Sequence, residues 1–357
     1  MTARKSRILF VLPSFAGGGA ERVLLTVLGR LDRERFSPGL LVLSDAGPLK
    51  PLVPDDIDVR VLGTGRVRSA LPLLRRAIRD AAPDAVLSTM AYLNFAVLSV
   101  GPGGPLYFVR EANMPDHTAR QIGSHVLTRL LYRLLYRRAS AVLCNARPMR
   151  DALAAWGVAQ DRLVAMPNPV DVDMIRKGVE ARVVPGDGRR FVAAGRLTEQ
   201  KGFDRLVDWF RNMPASDRLC IFGDGPQAEQ LRAQIDGAGF GERILLKGFD
   251  TRVADWIAGA DAVLLPSRWE GMPNVALESL ALGTPVIAHR EAGGIAELAD
   301  ATSRHAVKVA EDGAAFLAAM QEVEATLPRL KSPRPNLLPA SFHVNEVVHR
   351  YETLLSR

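Results

Sequence analysis

Arg196 and Lys201 lie five positions apart in AAGRLTEQKGFDRL, directly after an apolar run, FVAAG, that reads as a β-strand. Two cations at a strand's carboxyl end, beside a helix expected to start near Gly202, suit a diphosphate because fixed charge and backbone dipoles converge there. Ion pairing on a solvated face is the plainer alternative, and placement immediately after a strand weighs against it. A second stretch, SRWEGMPNVALESLALGTPVIA (267–288), sets Glu270 and Glu278 eight positions apart. Glu270 falls in the loop after the strand AVLLP, and Glu278 about one turn into a helix expected from Asn274. Carboxylates accept paired hydrogen bonds from vicinal hydroxyls, so one of the two can hold a ribose and the other a second sugar. Between them, Gly271, Met272, Pro273 and Asn274 lead into a helix N-terminus, where backbone amides and the helix dipole favour a polar or anionic ligand.

Two glycine turns complete this chemistry. Gly17, Gly18 and Gly19 follow the first strand in PSFAGGGAER and precede a helix from about Ala20. Without Cβ atoms the backbone can approach a phosphate or sugar closely. The loop is neither G-x-G-x-x-G nor a P-loop, and a tight strand-to-helix turn would use the same residues. Gly223, Asp224 and Gly225 in IFGDGP let the chain turn beneath a flat ligand such as a base, which a plain turn explains nearly as well. Two D-x-D triplets raise the question of a metal. Asp56-Ile57-Asp58 reads as a solvated loop, and Asp171-Val172-Asp173 as a turn or helix cap. Neither follows a strand end convincingly, so no metal and no separate cofactor are expected.

The elements around these loops set the fold class. RILFVL (7–12), GLLVL (39–43), VRVL (59–62), DAVLST (84–89), PLYFVR (105–110) and SAVLCN (140–145) read as strands. Helical stretches at 20–31, 69–80, 120–138 and 147–156 lie between them. After a Pro-punctuated segment, MPNPVDVD (166–173), the pattern restarts with FVAAG, RLCIFG, RILLKG, AVLLP and PVIAH, again with helices between. Two βα series imply two doubly wound, mostly parallel sheets, with ligands bound beyond the strands' carboxyl ends. The expected division is residues 1–168, a hinge at 169–190, a second domain at 191–335 and an amphipathic closing segment at 336–357, which can pack back on the first domain.

At 357 residues the chain exceeds what one core usually supports. No apolar run is long enough to span a bilayer, and the start lacks the h-region and cleavage site of a secretion signal. Cys144 and Cys220 sit in separate apolar runs and read as buried thiols. These points favour the cytoplasm. Residues 1–165 hold 23 Lys and Arg against 13 Asp and Glu, so the overall charge of +7 comes from the first half alone. An anionic partner, membrane or phosphorylated substrate, or simply an arginine-rich composition, accounts for that excess. Residues 66–80 carry Arg66, Arg68, Arg75, Arg76 and Arg79 beside Leu71, Leu74 and Ile78, which makes this helix the candidate for membrane contact. In 125–138, Arg129, Arg133 and Arg137 form a stripe while the leucines are expected to cover the sheet.

The paired Glu270 and Glu278, the GRLTEQKG loop, the GDGP turn and the GGGAER loop together resemble the retaining glycosyltransferases of family four, with the GT-B fold, over essentially the whole chain. The resemblance implies two facing Rossmann-like domains with the donor in the cleft between them, Arg196 and Lys201 neutralising the leaving diphosphate, and Glu278 on the ribose. It further implies that Glu270 and the amides after it hold the transferred sugar, while the Gly17–Gly19 loop closes over the donor. Transfer would retain the anomeric configuration without a metal. Family habit favours UDP, with GDP open, and a cell-envelope glycan or polyprenyl-diphosphate-linked acceptor; nucleic acid is not an expected partner. Many members carry a histidine after the fifth strand. Here that segment is FVREANMPDH, where Glu111 and Asn113, with Arg110, are candidates for the acceptor side and His117 lies later. Arg110 and Glu111 can instead pair structurally. A nucleotide-sugar epimerase of the same fold, which needs no acceptor, is the alternative. A non-catalytic scaffold is disfavoured by the intact charges, and a nicotinamide dehydrogenase by the lack of G-x-G-x-x-G at a strand–helix junction.

Overall fold

The computed structural model describes residues 4–16, 18–64, 67–325 and 334–356. The chain divides into two compact units, Met1–Pro169 with Val344–Arg357, and Val170–His343. The first runs β1 (Ser6–Leu12), α1 (Gly19–Arg30), β2 (Phe36–Val42), β3 (Asp58–Val61), α2 (Val67–Ala81), β4 (Ala85–Thr89), α3 (Ala91–Val100), β5 (Leu106–Arg110), α4 (Pro115–Ile122), α5 (His125–Leu135), β6 (Ala141–Cys144), α6 (Arg147–Ala155) and β7 (Leu163–Ala165). The second runs α7 (Val172–Arg176), β8 (Arg190–Ala194), α8 (Phe203–Phe210), β9 (Arg218–Phe222), α9 (Ala228–Gly237), β10 (Ile244–Gly248), α10 (Val253–Ala258), β11 (Ala262–Leu265), α11 (Asn274–Ala281), β12 (Val286–His289), α12 (Ile295–Ala301), β13 (Val307–Ala310) and α13 (Gly313–Gln321). A last helix, α14 (Val344–Leu355), belongs to the first unit.

Both sheets are parallel throughout, in the orders β3-β2-β1-β4-β5-β6-β7 and β10-β9-β8-β11-β12-β13. This is the doubly wound α/β class. Central strands are apolar on both faces because helices cover both: Phe10, Val11 and Leu12 of β1 are fully buried, as are Val263 and Leu264 of β11. The strand order reverses between β1 and β4 and again between β8 and β11. Loops diverge at such switch points and leave a crevice for ligand.

Several expectations change in the structure. The stretch read as one helix over 120–138 is α4 and α5, broken where Gly123 takes a left-handed conformation (φ 81) and Ser124 caps α5 by accepting a bond from Leu127 N at 3.2 Å. β7 and β13 are strands not anticipated, each only three or four residues long at a sheet edge. Residues 170–190, read as hinge, lie within the second unit, where α7 starts with Asp171 Oδ1 accepting from Met174 N at 3.0 Å. That D-x-D is therefore a helix cap. In the other, Asp56 pairs with Arg33 at 2.6 Å. Among the described residues no cluster of His, Cys, Asp and Glu is arranged as a metal site.

In α14, Val347, Val348, Tyr351, Leu354 and Leu355 join Leu24 and Leu28 of α1 in the first unit's core. Its Glu352 Oε1 accepts a bond from Asp32 N at 2.8 Å, and Arg350 donates to the Ala165 carbonyl at 2.6 Å. Cys144 and Cys220 are buried free thiols, pushed up to about 12 and about 11 by desolvation, and so are unreactive at neutral pH.

Candidate active site

In the second unit the two loops at the β8/β11 switch point are tied together by side chains. After β8 the chain passes exposed Arg196 and a 3-10 turn at Glu199–Lys201, then enters α8 through Gly202. After β11 it passes residues 266–273 and enters α11. Lys201 Nζ donates to Glu270 Oε1 at 2.5 Å, with the two side chains 19% and 9% exposed. Ser267 Oγ donates to the same oxygen at 3.0 Å, and Gln200 Nε2 reaches Glu270 Oε2 at 3.4 Å and the Trp269 carbonyl at 3.0 Å. Three donors therefore fix one carboxylate beside the start of α11. A charge-assisted bond of this length is strong in such a half-desolvated position.

The frame below is equally constrained. Arg205 Nε and Nη2 each donate at 2.7 Å to the carbonyls of Pro266 and Ser267. Arg268 grips Asp204 with two bonds, at 2.7 and 2.6 Å, which hold the Asp204 carboxyl below the usual range. Gly293, after β12, has φ +64, and a Cβ there would stand 2.3 Å from the Glu270 carbonyl oxygen. Only glycine lets that loop back the Glu270 segment so closely.

The other expected donor-side residues gather at the same strand ends. Gly223 has φ +131, and its Cβ would meet the Gly195 carbonyl at 1.9 Å, so this glycine is required by protein packing rather than by a ligand. Asp224 is exposed; its backbone carbonyl accepts from Leu197 N at 2.9 Å and its side chain from Gly225 N at 2.7 Å. Gly271, Met272 and Pro273 are buried and Asn274 half-buried at the α11 N-terminus. Pro273 has no N–H, so the amides available there are those of its neighbours. Glu278 is half-buried in the second turn of α11.

In the first unit Gly17 lies outside the described residues. Gly18 is the N-cap of α1, Gly19 its first residue, and the Glu21 carboxylate folds back so that a Cβ on Gly18 would stand 2.2 Å from it. Arg110 and Glu111, at the end of β5, do not form a hydrogen-bonded pair with each other. Arg110 is almost fully buried and donates to Asn168 Oδ1 at 2.6 Å, with Thr89 Oγ1 at 3.5 Å; its Nε has no partner.

Glu111 is 0% exposed. Its Oε1 accepts from Asn94 Nδ2 at 3.0 Å and from the Tyr136 hydroxyl, and its Oε2 lies 3.4 Å from the Tyr132 hydroxyl. Burial pushes its pKa up to about 7, against the pull of these donors and of Arg110. Glu111 is therefore an interior group, and its expected place lining the acceptor side gives way to one beneath it. Asn113 is half-buried in the loop above, and His117 lies in the first turn of α4, its pKa lowered by burial.

Sequence reading missed Ser267 and Gln200, which hold Glu270, and Asn94, Tyr132 and Tyr136, which hold Glu111. A signal existed for the tyrosines: four positions apart, in the last turn of α5 and at its C-cap, they face the same side. The glycine pair after PVIAH was a similar signal for Gly293.

Residues 17–174 match the family model described as Glycosyltransferase Family 4, and residues 188–325 match that described as Glycosyl transferases group 1. An exopolysaccharide phosphotransferase of Streptomyces coelicolor is 30% identical over 63% of this chain and 23% of its own length. In Campylobacter jejuni an N-acetylgalactosamine-N,N'-diacetylbacillosaminyl-diphospho-undecaprenol 4-alpha-N-acetylgalactosaminyltransferase is 25% identical over 48% of this chain and 47% of its own. The chain thus spans from about a quarter to about half the length of these curated relatives. The Anabaena protein HepE, solved with UDP and glucose, aligns over 98% of this chain and 99% of its own with a TM-score of 0.75 at 19% identity, a likeness of fold. That two-sheet architecture is the GT-B fold, and with its two halves matching the two models, the chain belongs to the glycosyltransferases that combine a family 4 domain with a group 1 domain.

Proposed function

We propose that the protein transfers a hexosyl or N-acetylhexosaminyl group from a UDP-sugar to a cell-envelope glycan or polyprenyl-diphosphate-linked acceptor at the cytoplasmic face of the membrane, with retention and without a metal. The observation that carries this is the Lys201–Glu270 pair at the β8/β11 switch point, beside the N-terminus of α11, with exposed Arg196 earlier in the same loop. Cations and a helix end converge there as a leaving diphosphate requires. The Campylobacter relative, by its name, acts on a diphospho-undecaprenol substrate, and the Anabaena protein holds UDP and glucose; both support the choice of donor and acceptor.

In this reading Lys201 and Arg196 stabilise the diphosphate as the anomeric carbon–oxygen bond breaks. The acceptor hydroxyl forms the new bond on the same face and passes its proton to the departing phosphate oxygen. Glu270, Gly271, Met272, Pro273 and Asn274 cradle the sugar, Glu278 holds the ribose, and Gly223 and Asp224 border the base. Gly17, Gly18, Gly19 and Asn113 serve from the first unit.

UDP release from a panel of UDP-sugars, measured with and without a polyprenyl-diphosphate glycan, tests the proposal. Release that depends on acceptor and persists in excess EDTA is expected. Conversion of the nucleotide sugar without acceptor would favour an epimerase, and activity abolished by EDTA and restored by Mn²⁺ would defeat the metal-free mechanism.

The two carboxylates separate in calorimetry. Glu278→Gln weakens binding of UDP and UDP-sugar alike, since its partner is the ribose. Glu270→Gln leaves UDP binding within about twofold while lowering transfer at least tenfold, since its partner is the hexose. The opposite pattern would exchange their roles.

A further inference from the structure

We infer that the outer face of α5 is a docking surface for an anionic lipid bilayer. One side of this helix packs inward through Thr128 and Tyr132, both 0% exposed. The opposite side leaves Val126, Leu127, Leu130 and Leu134 at 82, 47, 49 and 51% exposed. At 3.6 residues per turn these four fall in one stripe, with Arg129 and Arg133 along its edge and exposed Arg137 in the 3-10 turn that follows α5. Sequence reasoning had these leucines covering the sheet; the tyrosines occupy that side instead. An open depression of about 320 Å³, lined by His125, Val126, Arg129, Ala155 and Trp156, continues the apolar stripe toward α6.

Charge selects the occupant. Residues 117–150 contain seven arginines and no Asp or Glu. Arg133 and Arg137 make no ion pair among the described residues, while Arg129 reaches only the Ala155 carbonyl, at 3.3 Å. An apolar stripe edged by unneutralised arginines matches the headgroup–acyl boundary of an anionic membrane, where leucines enter the apolar layer and guanidiniums meet phosphates. A second copy of the chain fits poorly, because a two-fold interface would bring the same arginines against each other. α2, the helix favoured on sequence, has fewer free groups: Ala70, Leu74 and Ile78 are buried, Arg76 and Arg79 each contact Asp80, and Arg75 donates to the Val100 carbonyl. Arg66 and the Arg68 side chain are outside the described residues. No described helix is long and apolar enough to cross a membrane, so contact through α5 is peripheral. The inference rests on the proposed reading only in that a lipid-linked acceptor gives docking a purpose.

Co-sedimentation of the full chain with phosphatidylglycerol/phosphatidylcholine vesicles and with pure phosphatidylcholine vesicles, at low and high salt, tests the surface. Binding to the anionic vesicles is expected to fall more than about tenfold in Arg133→Gln/Arg137→Gln, and comparably in Leu130→Gln/Leu134→Gln, with Arg75→Gln/Arg76→Gln little changed. These positions are exposed, so unchanged circular dichroism and melting are expected in each variant. Equal binding to both vesicle types, no loss in either α5 variant, or loss of self-association in place of vesicle binding would overturn the inference. UDP release with a water-soluble acceptor fragment is measured in parallel. Failure of transfer with α5-dependent vesicle binding intact would defeat the proposed reaction and leave the docking surface standing.

Discussion

Arg196→Ala is expected to lower turnover about 10²–10³-fold while leaving stability within about 0.5 kcal/mol of wild type. Its guanidinium is exposed at the end of β8 and makes no ion pair among the described residues, so the fold loses nothing with it. Lys201→Ala is expected to match that loss of rate but also to destabilise. Its ammonium neutralises Glu270 at 2.5 Å, and the carboxylate left behind is only 9% exposed. Breaking a fully buried pair costs about 3–5 kcal/mol, whereas here the Ser267 and Gln200 donors and partial solvent access reduce the cost to about 1–2 kcal/mol. The double variant Lys201→Ala/Glu270→Gln separates the two effects, since removing both charges returns most of the stability but none of the turnover. Initial rates at saturating UDP-sugar, read beside melting temperatures, measure both. Wild-type rates in Arg196→Ala and Lys201→Ala would remove the diphosphate role from this loop. Recovery of rate in the double variant would mean that Lys201 acts only by restraining Glu270.

How far the sequence reached depended on whether a residue's task is local. Strands such as RILFVL and AVLLP were legible because a sheet covered on both faces demands an uninterrupted apolar run, and residues 8–12 of the first and Ala262–Leu265 of the second are buried. The loops after β8 and β11 were legible because charges and glycines stand immediately beyond such runs. Their mutual geometry was not, since the Lys201–Glu270 pair joins residues 69 apart and depends on β8 and β11 being neighbours in the sheet. A sheet order read from chain order alone does not specify that pairing.

The α4–α5 region shows a different loss. Its periodicity has two apolar faces, one of tyrosines and threonine and one of leucines, and periodicity alone does not say which turns inward. The inner face is the more polar one because Tyr132 and Tyr136 bring hydroxyls to a buried carboxyl. Read from the sequence, Glu111 was a polar residue beside an arginine at a strand end. Only Asn94 from α3 and the two tyrosines reveal it as the centre of an interior network.

That network gives Glu111→Gln a distinctive pH signature. The folded pKa of Glu111, raised by burial to about 7, stands above that of the unfolded chain, about 4.3. Between those values the folded state keeps a proton that the unfolded chain has released, so stability is fully present below pH 4 and declines as pH rises through 7. Over that window the loss amounts to about 4 kcal/mol. A neutral carboxyl also resolves the donor count: its O–H can donate to Tyr132, leaving that hydroxyl to donate to Thr118 Oγ1, 3.4 Å away. Glutamine supplies the same donor and acceptor without a titrating proton. Urea denaturation from pH 5 to 8.5 is therefore expected to show the stability of Glu111→Gln relative to wild type rising from pH 5 to about pH 7 and level above that. The difference between the two proteins cancels the histidines that titrate in the same range. If the variant is instead less stable at pH 8 by as much as at pH 5, the carboxylate is held ionised by Arg110 and the tyrosines, and burial does not dominate at this site.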